Sequence, residues 1–153
     1  MEEVRFDAPA ARELLAEWQD ELAVTIPGFS PAVGSSVEAP KFEPPEGVFL
    51  LASSGDAALG CGGMRRLTAE MGEIKRLFVR PAARGQGVAR ALLEGLEQRA
   101  ADQGLKAIRL DTHGGEPSAV GLFRAAGYLP IDDYNANPYA KYWFEKRLTG
   151  SCP

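Results

Sequence analysis

The stretch from Arg80 to Arg90, reading Arg-Pro-Ala-Ala-Arg-Gly-Gln-Gly-Val-Ala-Arg, constrains this chain more than any other. It follows an apolar run, Leu77-Phe78-Val79. It opens directly into Val88 to Gln103, where Ala89, Leu92, Leu93, Leu96 and Ala100 fall on one helical stripe. A strand feeding a glycine-rich bend that starts a helix holds phosphate without a metal. The first amides of a helix lack intrahelical partners, and the macrodipole favours negative charge beside them. Gly85 and Gly87 permit close approach of the backbone and positive φ, and Ala89 keeps the first turn slim. Two other phosphate loops are excluded. A dinucleotide fingerprint requires a third glycine where Arg90 stands, and a nucleoside-triphosphate loop requires Gly-Lys-Ser/Thr after its spacer. A plain tight turn would use the same glycines, so the bend alone leaves both readings open.

The flanking pattern predicts an α/β fold. Leu14, Leu15, Trp18, Leu22 and Ile26 mark a helix from Pro9 to about Thr25, stopped by Pro27-Gly28. Residues 27–47 are dense in loop-forming residues (Pro27, Gly28, Pro31, Gly34, Ser35, Ser36, Pro40, Pro44, Pro45 and Gly47), and an irregular stretch of that length is usually functional or mobile. Val48–Ala52, a turn at 53–56 and a Gly-rich run over Ala57–Leu67 read as a hairpin. A strand over Glu73–Val79 precedes the bend. After the Val88–Gln103 helix come a strand over Ala107–Thr112, a helix over Pro117–Ala126 closed by Gly127, and an alternating strand over Tyr142–Leu148. Strands alternating with helices after a hairpin predict one mixed sheet flanked by helices, in a single domain spanning residues 1–150.

Charge narrows the partners. The net charge of −4 argues against general affinity for nucleic acid. Yet Glu73 to Arg109 contains eight bases and four acids, a local excess of +4 that leaves −8 elsewhere and suits a small polyanionic ligand. No apolar run reaches the roughly 20 residues of a membrane helix. The acidic start shows no signal peptide, and Cys61 and Cys152 make no disulfide framework. One histidine cannot build the usual zinc sites. The expectation is a cytoplasmic protein without a metal, a nucleic-acid partner or a membrane.

Glu73-Ile74-Lys75-Arg76-Leu77-Phe78-Val79-Arg80-Pro81 followed by Arg84-Gly85-Gln86-Gly87-Val88-Ala89 resembles the GNAT superfamily of acyl-CoA-dependent N-acyltransferases. Arg84, Gly87 and Ala89 match its Gln/Arg-x-x-Gly-x-Gly/Ala mark, and the likeness covers about residues 47–148 well and the N-terminal third loosely. The resemblance implies a GNAT-like fold whose central mixed sheet has splayed strands. Amides from Arg84, Gly85, Gln86, Gly87, Val88 and Ala89 would grip the pyrophosphate of acetyl-CoA. The backbone at Leu77, Phe78 and Val79 would pair with the pantetheine arm in a V-shaped slot between 73–79 and 107–112. An amide of the strand would polarise the thioester carbonyl. The implied reaction passes an acetyl group directly to a primary amine of a small molecule within a ternary complex. A homodimer is common among such proteins.

An amine must lose a proton before it attacks, and the resemblance makes Glu73 the candidate base. A surface glutamate paired with Lys75 or Arg76 is the competing reading. Many members carry an asparagine and, seven residues later, an acid-acting tyrosine; the corresponding places hold Glu116 and Phe123. Phenylalanine has no proton to give, although Phe123 can still wall the pantetheine. Tyr128 and Tyr134 are the nearby phenols, with Tyr128 reading as packed beside the sheet. The loop Tyr134-Asn135-Ala136-Asn137-Pro138-Tyr139 lines an acceptor pocket or is simply turn chemistry; Tyr134 and Asn135 are its candidate contacts. Segment 27–47, with Glu38, Glu43 and Glu46, would close over a cationic amine. His113 faces the slot or the surface, and Cys61 reads as a small buried residue. The missing acid keeps alternatives open: a module that senses acyl-CoA without turnover, or acetylation of a protein or peptide amine.

Overall fold

In the computed structural model, residues 1–26, 42–113 and 117–148 are described. The elements in chain order are β1 (Glu2–Glu3), α1 (Pro9–Thr25), β2 (Gly47–Ser54), β3 (Ala57–Arg66), β4 (Met71–Val79), α2 (Val88–Asp102), β5 (Ala107–Thr112), α3 (Pro117–Ala125), β6 (Leu129–Pro130) and β7 (Tyr142–Arg147). The strands form one sheet in the order β1-β2-β3-β4-β5-β7-β6. The β4–β5 pair is parallel, and the other neighbouring pairs are antiparallel.

Alternation along the strands separates two cores. Val48, Leu50 and Ala52 of β2, Met64 of β3, Ile74 of β4 and Ile108 and Leu110 of β5 point to the face covered by Leu92, Leu93, Leu96 and Ala100 of α2 and Phe123 of α3. Phe49, Leu51, Cys61 and Phe78 point the other way, against Ala11, Leu14 and Leu15 of α1 and against Phe42. Being buried on both sides, β2 reads as a continuous apolar run instead of an alternating one. The Gly-rich composition of β3 has a steric cause at Gly63: a Cβ there would lie 2.6 Å from the Phe42 ring.

Strand β4 starts two residues before the expected Glu73. Leu67 and Thr68 donate backbone hydrogen bonds to the Met71 carbonyl at 2.7 and 3.0 Å, closing the turn into β4. Gly72 then lies where a side chain would come within 2.9 Å of Leu105, so no bulky residue signals the strand there. The edge strands β1 and β6 carry no apolar alternation, and the proline in β6 is tolerated at an edge. Of the irregular segment expected over 27–47, residues 27–41 lie outside those described, with Glu38 among them; Glu116 and Cys152 do as well.

Strand β4 is irregular in two ways. Between Cys61 and Gly63 of β3, the partner residues run from Phe78 to Lys75, one residue more on β4. That bulge contains Arg76 at φ 61°, a left-handed conformation uncommon for a side chain of its size. Before reaching it, β4 has already left β5: Met71, Gly72 and Glu73 pair with Ala107, Ile108 and Arg109, and pairing ends there. Strand β5 continues to Thr112 on its other side, against β7.

Candidate active site

The parting of β4 from β5 opens a cleft of about 730 Å³. Its walls are Lys75–Val79 of β4, Leu110–Thr112 of β5 with His113, and Ala119, Leu122 and Phe123 of α3. Trp18, Glu21 and Leu22 of α1, with Ile26 just beyond it, close another side. At one end stands the start of α2 with Arg84, Gly85, Gly87, Val88, Ala89 and Arg90; at the other, residues 135–140. Among the described residues, the β4 backbone facing β5 has no strand partner past Glu73, so this edge is available to an extended ligand.

The bend meets the requirements of an anion cradle. Gly85 and Gly87 have φ of 79° and 83°, and a Cβ built on either meets no atom of the described residues within 4 Å. The first backbone bond of α2 runs from Ala91 N–H to the Gly87 carbonyl at 3.0 Å. The amides of Val88, Ala89 and Arg90 therefore precede the intrahelical ladder, and no side chain caps this end. Its first turn holds no acid but does hold Arg90, which pairs with Glu94 at 3.2 Å. The Arg84 side chain is turned to bracing: Nε donates to the Val79 carbonyl at 2.9 Å and Nη2 donates to both oxygens of Glu21 at 2.8 Å. The guanidinium also lies 5.8 Å from the Phe78 ring centroid. Its neighbour Arg80 is held by Glu13 and Glu17, so successive turns of α1 grip the two ends of the bend. Gln86 bonds back to the Ala82 carbonyl at 3.3 Å and does not line the cleft.

Behind the far end lies a polar network, which strand parity explains. Glu73, Arg65, Arg109 and Asp111 occupy the positions alternate to the core residues, so they share the face opposite α2. Glu73 is fully buried. It accepts hydrogen bonds from Arg65 Nε at 2.8 Å and the Tyr134 hydroxyl at 2.6 Å, and from Asn135 Nδ2 at 3.3 Å. It is neither a surface glutamate nor a lining residue of the cleft. The carboxylate of this network that does line the cleft is Asp111, whose Oδ1 accepts from Asn137 Nδ2 at 3.3 Å and whose Oδ2 accepts from Asn135 Nδ2. Lys75 Nζ stands between the two acids, 3.8 Å from Glu73 and 3.7 Å from Asp111. Burial, the Glu73 charge and the hydrogen bond to it together push the Tyr134 phenol above its ordinary pKa, so it holds its proton.

The loop 131–140 is both turn chemistry and cleft wall. Asp133 Oδ1 accepts from the amides of Asn135 and Ala136 at 2.9 and 2.7 Å, Asn135 Oδ1 from the amide of Asn137, and Asn137 Oδ1 from that of Tyr139. These turns, with Trp143 Nε1 on Asn135 Oδ1 at 3.0 Å, aim Asn135, Asn137 and Tyr139 into the cleft while Tyr134 turns inward. His113 also lines the cleft. Phe123 forms part of the apolar floor, 6.0 Å from both Tyr128 and Phe144. Tyr128 is buried away from the cleft and donates to Glu97 at 2.9 Å. The Cys61 thiol is buried, donates to the Arg76 carbonyl at 3.6 Å, and is pushed up to about 12 by burial.

Sequence reasoning gave no role to Asp111, Arg65 or the α1 wall, and named Asn137 only as part of its loop. Asp111 had a faint signal: in Ile108-Arg109-Leu110-Asp111 the polar residues alternate with core ones. The α1 contacts depend on how that helix crosses the sheet, which periodicity does not encode. Among the described residues, no group of three His, Cys, Asp or Glu could hold a metal, and no helix is long and apolar enough to cross a membrane.

A sheet that parts beside a glycine-bent helix start is an α/β site shaped for an extended, phosphate-bearing ligand. The pattern of the Acetyltransferase (GNAT) family matches residues 9–128, and the chain belongs to that family, whose members bind acetyl-CoA. The IAA acetyltransferase of Azospirillum brasilense is 36% identical over 104 residues, covering 65% of this chain and 67% of that protein. In fold, a GNAT acetyltransferase from Staphylococcus aureus Mu50 matches with a TM-score of 0.82 at 17% identity, over 97% of this chain and 99% of that one. An aminoglycoside 6'-N-acetyltransferase complexed with coenzyme A matches with 0.67 at 20% identity, over 97% and 98%.

Proposed function

We propose that this protein moves an acetyl group from acetyl-CoA directly to the primary amine of a small molecule, both substrates being held in the cleft at once. The observation that carries the proposal is the continuity of one cleft. It runs from the uncapped start of α2, along the unpaired β4 edge, to a polar pocket walled by Asp111, His113, Asn135, Asn137 and Tyr139. Its volume lies within the range of ordinary small-ligand sites.

The residues fit the carrier in order. The pyrophosphate meets the amides from Gly85 to Arg90, with Arg90 adding charge and Arg84 holding the bend against β4. The pantetheine extends along Leu77–Val79 over Leu122 and Phe123. The bulge at Arg76 and Leu77 presents main chain to the thioester carbonyl where charge builds in the transition state. Glu73 is fixed behind this point and affects proton transfer through the groups bonded to it. With Phe123 unable to protonate the sulfur, the thiolate of CoA leaves unaided or takes its proton from water, which its ordinary pKa near ~8.5 permits at neutral pH.

A fold neighbour named for acetylating aminoglycosides supports a small amine as acceptor. The competing reading, a sensor of acyl-CoA, is favoured by Phe123 alone. Thiol release from acetyl-CoA over a panel of primary amines separates the two: amine-dependent release is expected, and tight acetyl-CoA binding without release for any amine would favour the sensor.

A further inference from the structure

We infer that Asp111 is the carboxylate that meets the acceptor amine, and that Glu73, Asn135 and Asn137 are the positioning residues that aim it. The inference rests on the acetyl-transfer reading and names the residue that reading lacks. Among the described residues, Glu21 and Asp111 are the carboxylates lining the cleft. Glu21 is committed to Arg84 through both oxygens. Glu73 is sealed, with no exposed surface and donors on both oxygens. Asp111 also accepts on both oxygens, but from the neutral amides of Asn135 and Asn137, and it retains 10% of its side-chain surface on the β5 side of the gap.

Its placement suits the reaction. Asp111 lies 3.7 Å from Lys75 Nζ, and Lys75 immediately precedes the bulge on the opposite wall of the gap. The carboxylate therefore stands across from the main chain that would receive the thioester carbonyl. Asn135 ties Asp111 to Glu73 with one amide group, Asn137 holds the other oxygen, and the consecutive turns of 133–139 fix both asparagines. An ammonium arriving from solvent finds a negative charge of fixed direction. In the step proposed, one proton of the ammonium passes to Asp111 and on to solvent. The nitrogen lone pair forms the bond to the acetyl carbon, the carbon–sulfur bond breaks with its electrons on sulfur, and the nitrogen's second proton ends on the CoA thiol. The products are an N-substituted acetamide, free CoA thiol and one proton. The charged and titratable groups around Asp111 are Lys75 from β4, Glu73 reached through Asn135, and Tyr134 from the loop, whose phenol feels the Asp111 charge; His113 and Tyr139 line the same cleft.

The test uses ethylamine, a minimal primary amine, with saturating acetyl-CoA. Asp111→Asn is expected to lower turnover by about 100-fold or more, and Asp111→Glu to recover part of it. Glu73→Gln should cost less and keep the wild-type shape of the pH profile. A second readout needs no turnover: with CoA bound, ethylammonium chloride should shift the side-chain amide resonances of Asn135 and Asn137 in the wild-type protein, but not in Asp111→Asn. Sodium chloride should leave them in place. Wild-type turnover in Asp111→Asn, or resonances that respond to ethylammonium equally in both, overturns the inference. Calorimetry with acetyl-CoA separates this from the acetyl-transfer reading: wild-type protein that does not bind the carrier contradicts that reading itself.

Discussion

At the scale of single residues, the cleft is governed by where charge is allowed to be. Glu73 is buried but not isolated, since Arg65, Lys75, Tyr134 and Asn135 replace the water it gives up. Removing one partner of such a group leaves a buried charge undercompensated. Arg65→Ala should therefore lower unfolding stability by about 3 kcal/mol in urea titrations, well beyond a surface substitution. Neutral groups held in the core give a pH signature of definite sign. The Cys61 thiol is raised from 9.0 to about 12, so its contribution to stability is complete below about pH 9 and is lost as pH climbs toward 12. The phenols of Tyr128 and Tyr134 are raised too, by burial first and by Glu97 and Glu73 next, and act in the same direction above about pH 10. The melting temperature should fall between pH 9 and 11, and Cys61→Ala should flatten the part between 9 and 10. At this scale the sequence revealed little: Glu73 drew attention as a carboxylate opening a strand, but its enclosure depends on a loop 61 residues away.

At the scale of elements, the bend before α2 adopts the positive φ its glycines imply, and α2 itself supplies a matched control. Gly87 and Gly104 both have φ 83° and both would place a Cβ in open space, one at each end of the helix. Alanine at either should cost a similar ~1 kcal/mol of stability from left-handed strain. Only Gly87→Ala adds a methyl group where phosphate is to sit. It should weaken acetyl-CoA binding at least tenfold in calorimetry while Gly104→Ala leaves affinity unchanged; equal effects would separate the bend from ligand binding. The α1 ion pairs give a further expectation: Glu21→Gln frees Arg84 from its brace and should weaken acetyl-CoA binding by loosening the bend. The elements were largely legible because their periods are strong: the α2 stripe, the apolar run of β2 and the β5 alternation each mark themselves. The bulge at Arg76 was not legible. A register shift is set by how β3 and β4 meet, and arginine gives no local hint of a positive φ.

For the molecule as a whole, the site we propose lies where the sheet is incomplete. Two neighbouring strands paired for three residues and then apart create a place for an extended carrier, while α1, α2 and α3 close the surroundings. The described elements join one continuous sheet, and we propose that residues 1–150 fold as one domain. Acetyl-CoA at 100 times its dissociation constant should raise stability by about 2.7 kcal/mol and lift a single cooperative melting transition by roughly 5–10 °C. Two separate transitions, only one of them moved by the ligand, would contradict a single domain.

A crystal structure with acetyl-CoA bound tests the central claim most directly. The diphosphate is expected on the amides of Gly85 to Arg90, the pantetheine beside Leu77–Val79, and the acetyl group between the Arg76 bulge and Asp111. A diphosphate bound elsewhere, or an acetyl group turned away from the gap between β4 and β5, would contradict it.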